Sequence, residues 1–182
     1  MLVRGAGGGA TAADTGTFGF SVIRPSSDDR QEIGRRYDEA AALVLAAFGR
    51  LGVSAEVGEV RDEFCPGDHS IRTGGFEDGT KLVGIAQRLT RRATSVGGIV
   101  LVSGERDLAR VLERVYTAMS LPFRPETVGS LRRSGNGAAF EEVMAALAEE
   151  VKLRYGAEPV TLDDVTLETA RKNRDRYRVR LC

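Results

Sequence analysis

"KLVGIAQRLT" (81–90) and "VGGIVLVS" (96–103) read as two adjacent strands of one sheet. Working outward, "TFGFSVIRP" (17–25) alternates Phe18, Phe20 and Val22 as a half-buried strand does, and Pro25 stops it. "VSAEVGEV" (53–60) reads as a strand, and "EPVTL" (158–162) as a short one. Helices surround them. Residues 26–52 predict a long helix with Ser26, Ser27 or Asp28 as its cap and Gly52 at its end. Its apolar stripe is Ile33, Tyr37, Ala41, Val44, Phe48 and Leu51. A second amphipathic helix covers 104–119 through Leu108, Leu112, Val115 and Met119. A third covers 138–156 with Phe140, Val143, Leu147, Val151 and Tyr155 inward, and 163–178 forms a last, charged helix. Strands cluster in the middle with helices before and after. The pattern predicts an α+β fold with a mixed, mainly antiparallel central sheet flanked by helices.

The 182 residues fit one domain, 1–182, with length for one core. Lys plus Arg is 26 and Asp plus Glu is 26, so there is no basic surplus for generic nucleic-acid binding. No apolar run reaches the ~20 residues of a membrane span. The start, "MLVRGAGGGA", lacks the apolar core of a signal peptide, so a cytoplasmic protein is expected. Two cysteines, Cys65 and Cys182, are too few for a disulfide framework, and with His69 the only histidine no zinc site is expected. Of the 26 basic residues only Lys81, Lys152 and Lys172 are lysine. Each is a candidate for a place where an always-charged arginine would not serve.

Three segments can carry chemistry. "RGAGGG" (4–9) can bring backbone N–H groups close to a ligand, with Arg4 as a clamp for phosphate or carboxylate; it can equally be a flexible leader. It is neither a P-loop nor a dinucleotide fingerprint. "CPGD" (65–68) places Pro66 and Gly67 at the centre of a type II turn, and Pro66 biases Cys65 to an extended backbone. Such a turn can present a thiol at a pocket rim, or Cys65 can be a small inert core residue. In "KLVGIAQR" (81–88), Lys81 can aim its ammonium into a pocket or guard a sheet edge, and Gly84 permits close approach. His69 is a polar surface or capping residue or a base for Cys65. Arg88, Arg91 and Arg92 read as a solvated cluster on which an acidic protein partner could dock.

In order and spacing, "RGAGGGATAADTGTFGFSV", "FCPGDHS", "GTKLVGIAQR" and "PETVGSL" resemble the lipoate–protein ligase and octanoyltransferase family, across most of 3–150. This family shares its catalytic domain with biotin–protein ligases. The "CPG" turn, the K-x-x-G-I-x-Q-R strand and the following "GG" strand resemble its octanoyl amidotransferase branch. The resemblance implies a biotin/lipoate ligase-like fold and transfer of an octanoyl or lipoyl group to a lysine of lipoyl-domain proteins. The glycine-cleavage H protein is the implied donor. Cys65 falls at the thioester nucleophile and Lys81 at the lysine that holds the acyl carbonyl. Arg4, Gly7, Gly8 and Gly9, with Gly84, fall on the acyl pocket; no role is implied for His69.

Residue chemistry fits those roles. A thiolate splits one hard acyl transfer into two easier ones. A cationic Lys81 would favour the thiolate and stabilise an oxyanion. Burying about six methylenes contributes on the order of 5 kcal/mol. A transferase of this kind needs no cofactor, whereas an ATP-dependent lipoate–protein ligase on the same frame would need ATP and Mg. Family members have a helix and strand before the Arg/Gly loop. The chain begins almost at that loop, so the expectation is an N-terminally truncated catalytic domain, or one that a second chain completes, with an accessory, non-catalytic subunit as a further reading.

Overall fold

A computed structural model describes residues 2–26 and 32–178. The candidate caps Ser27 and Asp28, and Cys182, lie outside the described residues.

Among the described residues, five strands form one antiparallel sheet: β1 (Thr17–Pro25), β2 (Glu56–Val57), β3 (Ile71–Thr73), β4 (Thr80–Leu89) and β5 (Ala93–Leu101). Their order is β1-β5-β4-β3-β2. β4 and β5 make a hairpin registered from Val83 opposite Val100 to Leu89 opposite Thr94. β1 returns to lie along β5, with Thr17 opposite Leu101 and Pro25 opposite Ala93. Residues 53–60 contribute only the two-residue β2, and β3, which the sequence did not signal, joins it to β4. Residues 158–162 form no strand; Val160 is 87% exposed and has no sheet partner.

The helices are α1 (Ile33–Arg50), α2 (Glu105–Ala118), α3 (Phe140–Tyr155) and α4 (Asp164–Asn173). Gly52 ends α1 with φ 69°, a left-handed value that glycine adopts without a Cβ penalty. Asp163 caps α4 by accepting from the Thr166 amide at 2.7 Å. No helix among the described residues is long and apolar enough to cross a membrane.

Alternation on β5 sorts the apolar residues into two clusters on opposite faces. Val100 and Val102 join Ala41, Val44 and Phe48 of α1 and Val143 and Leu147 of α3. Leu101 faces the other way, with Phe64, Leu108, Leu112, Tyr116 and Val128. The buried stripe of α2 is therefore Leu108, Leu112 and Tyr116, an i, i+4, i+8 row, whereas Met119 is exposed. Tyr116 completes the row, and its hydroxyl bonds two part-buried backbone groups, described next. On α3, Tyr155 reaches the surface and stacks under the Arg24 guanidinium, 5.3 Å from its ring centroid.

Candidate active site

The face of β1, β5 and β4 opposite α1 and α3 carries small residues. Register sets Gly19 of β1 and Gly84 of β4 against Ile99, and Ser21 and Ala86 against Gly97. Their small size leaves a trough of about 450 Å³, with Arg4, Gly84, Arg88, Gly97 and Ile99 among its walls. The Arg/Gly loop lies over it, with Arg88 Nη1 against the backbone of Gly5. A second cavity of about 380 Å³ adjoins it across Ala86, lined by Gly7, Gly8, Tyr37, Cys65, Pro66 and His69 among others. Both volumes lie within the range of small-molecule sites.

Cys65 stands between the Arg/Gly loop and the end of β4. Its thiol is free and half-buried. Arg4 Nη2 donates to Sγ at 3.2 Å and also bonds the Gly7 carbonyl. The Cys65 backbone departs from the sequence expectation: its φ is +45°, left-handed, where Pro66 favours an extended residue. The type II turn is absent too. Gly67 has no positive φ, and the hydrogen-bonded turn runs from the Gly67 carbonyl to the Ser70 amide at 3.0 Å, with Asp68 and His69 at its centre.

Hydrogen bonds on both sides of Cys65 hold this conformation. Its amide donates to the Tyr116 hydroxyl at 2.5 Å, and that hydroxyl donates to the Ala10 carbonyl at 3.0 Å. Its carbonyl accepts from Lys81 Nζ at 2.9 Å. A non-glycine residue at positive φ costs on the order of 1–3 kcal/mol and persists only where its surroundings over-determine it. One tyrosine thus ties the thiol loop to the Arg/Gly loop. Desolvation by burial raises the Tyr116 pKa, and the Cys65 N–H bond opposes this.

Lys81 is buried completely, so it does not guard a sheet edge. β3 and β4 slip register here: Ile71 pairs with Val83 but Arg72 with Lys81, leaving Leu82 as a bulge. The Lys81 stem passes Gly84, where a Cβ would lie 3.2 Å from Cε. Nζ donates to Glu63 Oε1 at 3.0 Å, Phe64 O at 2.9 Å and Cys65 O at 2.9 Å. Three donated bonds require an ammonium and use all its N–H groups. The ammonium therefore has no N–H left for an acyl carbonyl in this conformation. Desolvation lowers the Lys81 pKa, and the Glu63 carboxylate, through its charge and hydrogen bond, acts against that. Glu63, itself 1% exposed, accepts as well from Ser70 Oγ at 2.5 Å and the Val60 amide at 3.2 Å.

Of the sequence-predicted residues, Cys65, Lys81, Arg4, Gly8 and Gly9 come together. A Cβ on Gly8 would sit 2.7 Å from Cys65 Sγ and collide with Arg4, and Gly8 has φ 99°. A Cβ on Gly9 would lie 3.1 Å from the Tyr116 hydroxyl. Gly7 lines the thiol cavity but has open space around its missing Cβ, and Gly84 floors the trough beside Lys81. His69 stacks on Tyr37 with centroids 4.6 Å apart, and its Nε2 is 3.3 Å from Asp38 Oδ1. Glu63, Ser70 and Tyr116 are the residues that sequence reading missed. Only Tyr116 carried a signal, its i+4 spacing from Leu112.

Known proteins share this frame. A bi-partite lipoate protein ligase of Thermoplasma acidophilum superposes with TM-score 0.69 at 21% identity, over 97% of this chain and 67% of that one. A lipoate-protein ligase A with bound ATP superposes with TM-score 0.67 at 24% identity, over 97% and 68%. At these identities the likeness is one of fold. By sequence, an octanoyl-[GcvH]:protein N-octanoyltransferase of Geobacillus kaustophilus is 31% identical over 117 residues, 64% of this chain and 40% of the relative. One of Exiguobacterium sibiricum is 26% identical over 170 residues, 93% of this chain and 56% of the relative. The chain thus spans about half the length of these curated relatives. Residues 1–152 match the model of the lipoyl protein ligase A/B catalytic domain, most of the chain, and the chain belongs to that family.

Proposed function

We propose that residues 1–182 act as one catalytic unit of protein lipoylation, an acyltransferase that carries an octanoyl or lipoyl group on Cys65. The observation that carries the reading is a free thiol held at positive φ by a bond to Tyr116 and one from Lys81, touched by Arg4, next to a trough floored by small residues. The names of the two sequence relatives support octanoyl as the group and the H protein as its donor. Acceptors are lysines of lipoyl-domain proteins. A working thiol needs a reducing compartment, and the cytoplasm is the setting proposed.

The trough takes the acyl tail and the sulfur takes its carbonyl carbon. Lys81 acts first on the protein, fixing the Phe64 and Cys65 carbonyls and with them the loop that carries Sγ. To hold the acyl oxygen itself it would have to release one of its three acceptors. The transferase chemistry uses no cofactor. A ligase on this frame would use ATP and Mg to form an acyl-adenylate, and the placed thiol favours the transferase.

The test is transfer from octanoyl-H protein to an apo lipoyl domain, without ATP, by the wild-type chain and Cys65→Ala. Transfer is expected for the wild type alone. Full transfer by Cys65→Ala excludes the thioester, and strict dependence on ATP with pyrophosphate release makes the protein a ligase.

A further inference from the structure

Addition of sulfur to a carbonyl moves the C=O π pair onto oxygen, and that oxygen needs preorganised donors. Two obvious donors at Cys65 are engaged. The nucleophile's own N–H, a common oxyanion donor, is bonded to the Tyr116 hydroxyl at 2.5 Å. Lys81 spends its three N–H groups on Glu63, Phe64 and Cys65. Arg4 differs. Its two described hydrogen bonds, to Gly7 O and to Cys65 Sγ at 3.2 Å, both come from Nη2. A guanidinium has five N–H donors in a planar fork, so Nη1 and Nε are available alongside. An acyl oxygen lies only two bonds from the sulfur that carries the acyl group, within reach of a fork already touching that sulfur. Gly8 keeps the space clear: any side chain there would strike both Arg4 and Sγ.

We infer that Arg4 is a catalytic residue, donating to the acyl oxygen while the acyl carbon is bonded to Cys65, with Lys81 positioning the loop. This rests on the thioester reading. In the first half-reaction Sγ bonds to the acyl carbon and the π pair moves to oxygen under Arg4. The pair then returns, the carbon–nitrogen bond to the donor lysine breaks, and the thiol proton ends on the departing amine. In the second half the acceptor amine adds to the same carbon, Arg4 again meets the oxyanion, and the carbon–sulfur bond breaks. The amine's proton ends on sulfur.

Two probes of Cys65 separate oxygen from sulfur, both in a Cys182→Ser background. Acylation by p-nitrophenyl octanoate passes through an oxyanion; alkylation by iodoacetamide does not. Arg4→Gln is expected to slow acylation about 100-fold, the usual cost of losing an oxyanion donor. It should slow alkylation at least about tenfold less than that. Arg4→Lys, which keeps the charge but not the fork, should fall between Gln and wild type. Equal slowing of both probes would mean that Arg4 serves the sulfur alone and overturns the inference. Unchanged acylation overturns it as well, and so does a wild-type Cys65 that the ester never acylates. If the ester acylates Cys65 in an Arg4-dependent way but octanoyl-H protein never does, the physiological reading fails and the role of Arg4 stands. Circular dichroism confirms folding, which a change on this surface loop should leave intact.

Discussion

Removing either member of the Glu63–Lys81 pair should destabilise the protein strongly, and removing both should cost far less than the sum. Both side chains are essentially solvent-free and their charges meet at 3.0 Å. Lys81→Met leaves the Glu63 carboxylate buried without its counter-charge and strips the Phe64 and Cys65 carbonyls of their donor. Glu63→Leu leaves the ammonium uncompensated and orphans Ser70 Oγ and the Val60 amide. Breaking a buried pair costs about 3–5 kcal/mol, so the two singles sum to about 6–10 kcal/mol. In the double variant no buried charge remains. Four polar groups still lack partners, at roughly 1–3 kcal/mol each when fully dry, with relief from water for the half-buried Cys65 carbonyl. Each single variant already orphans two of those four groups, so their cost cancels from the comparison, and the double should fall short of the sum by the penalty for an uncompensated buried charge, a coupling energy of about 3 kcal/mol or more. Urea denaturation of the four proteins measures it. Additivity within about 0.5 kcal/mol would refute the pair as an energetic unit and, with it, the account of how Cys65 is held.

Two further outcomes follow from the same loop. Gly8→Ala should abolish acylation of Cys65 while leaving the fold intact, because its Cβ would fall 2.7 Å from Sγ at the loop surface and the residue needs φ 99°; acylation at the wild-type rate contradicts this. Tyr116→Phe should cost about 1–3 kcal/mol, since it orphans the Cys65 amide and the Ala10 carbonyl, and should slow acylation. Burial raises the Tyr116 pKa above 10.0, so the folded state holds its proton longer than the unfolded chain. The wild type should lose stability as pH rises from about 10 through the folded-state value, and that loss should be smaller in Tyr116→Phe by denaturation at pH 9 and pH 11.

Much of the frame was legible because it rests on periodicity. β1 was readable from Phe18, Phe20 and Val22, which alternate against one core, and α1 from a stripe that Gly52 terminates. The hairpin of β4 and β5 was equally clear. β3 escaped because three residues between loops carry no period, and 158–162 reads as a strand but pairs with none. At the site, residue type made Cys65, Lys81, Arg4 and the glycines candidates beside inert alternatives, and the family resemblance assigned their roles. Their conformations did not follow from type. Local preference asks Cys65 to be extended, and a bond to Tyr116, 51 residues away, with one from Lys81, 16 away, overrules it. Glu63 carries no signal in the sequence, and only the fold brings the buried Lys81 ammonium against it. The small floor of the trough likewise appears only when register brings Gly19, Gly84 and Gly97 of three strands onto one face.

The proposed mechanism requires that Cys65 bear the acyl group. Intact-protein mass spectrometry after incubation with octanoyl-H protein, followed by peptide mapping, tests it most directly. A mass gain of one octanoyl group is expected, located on Cys65, reversed by hydroxylamine and lost on adding an apo lipoyl domain. Transfer that proceeds at full rate with Cys65 unmodified throughout would contradict it.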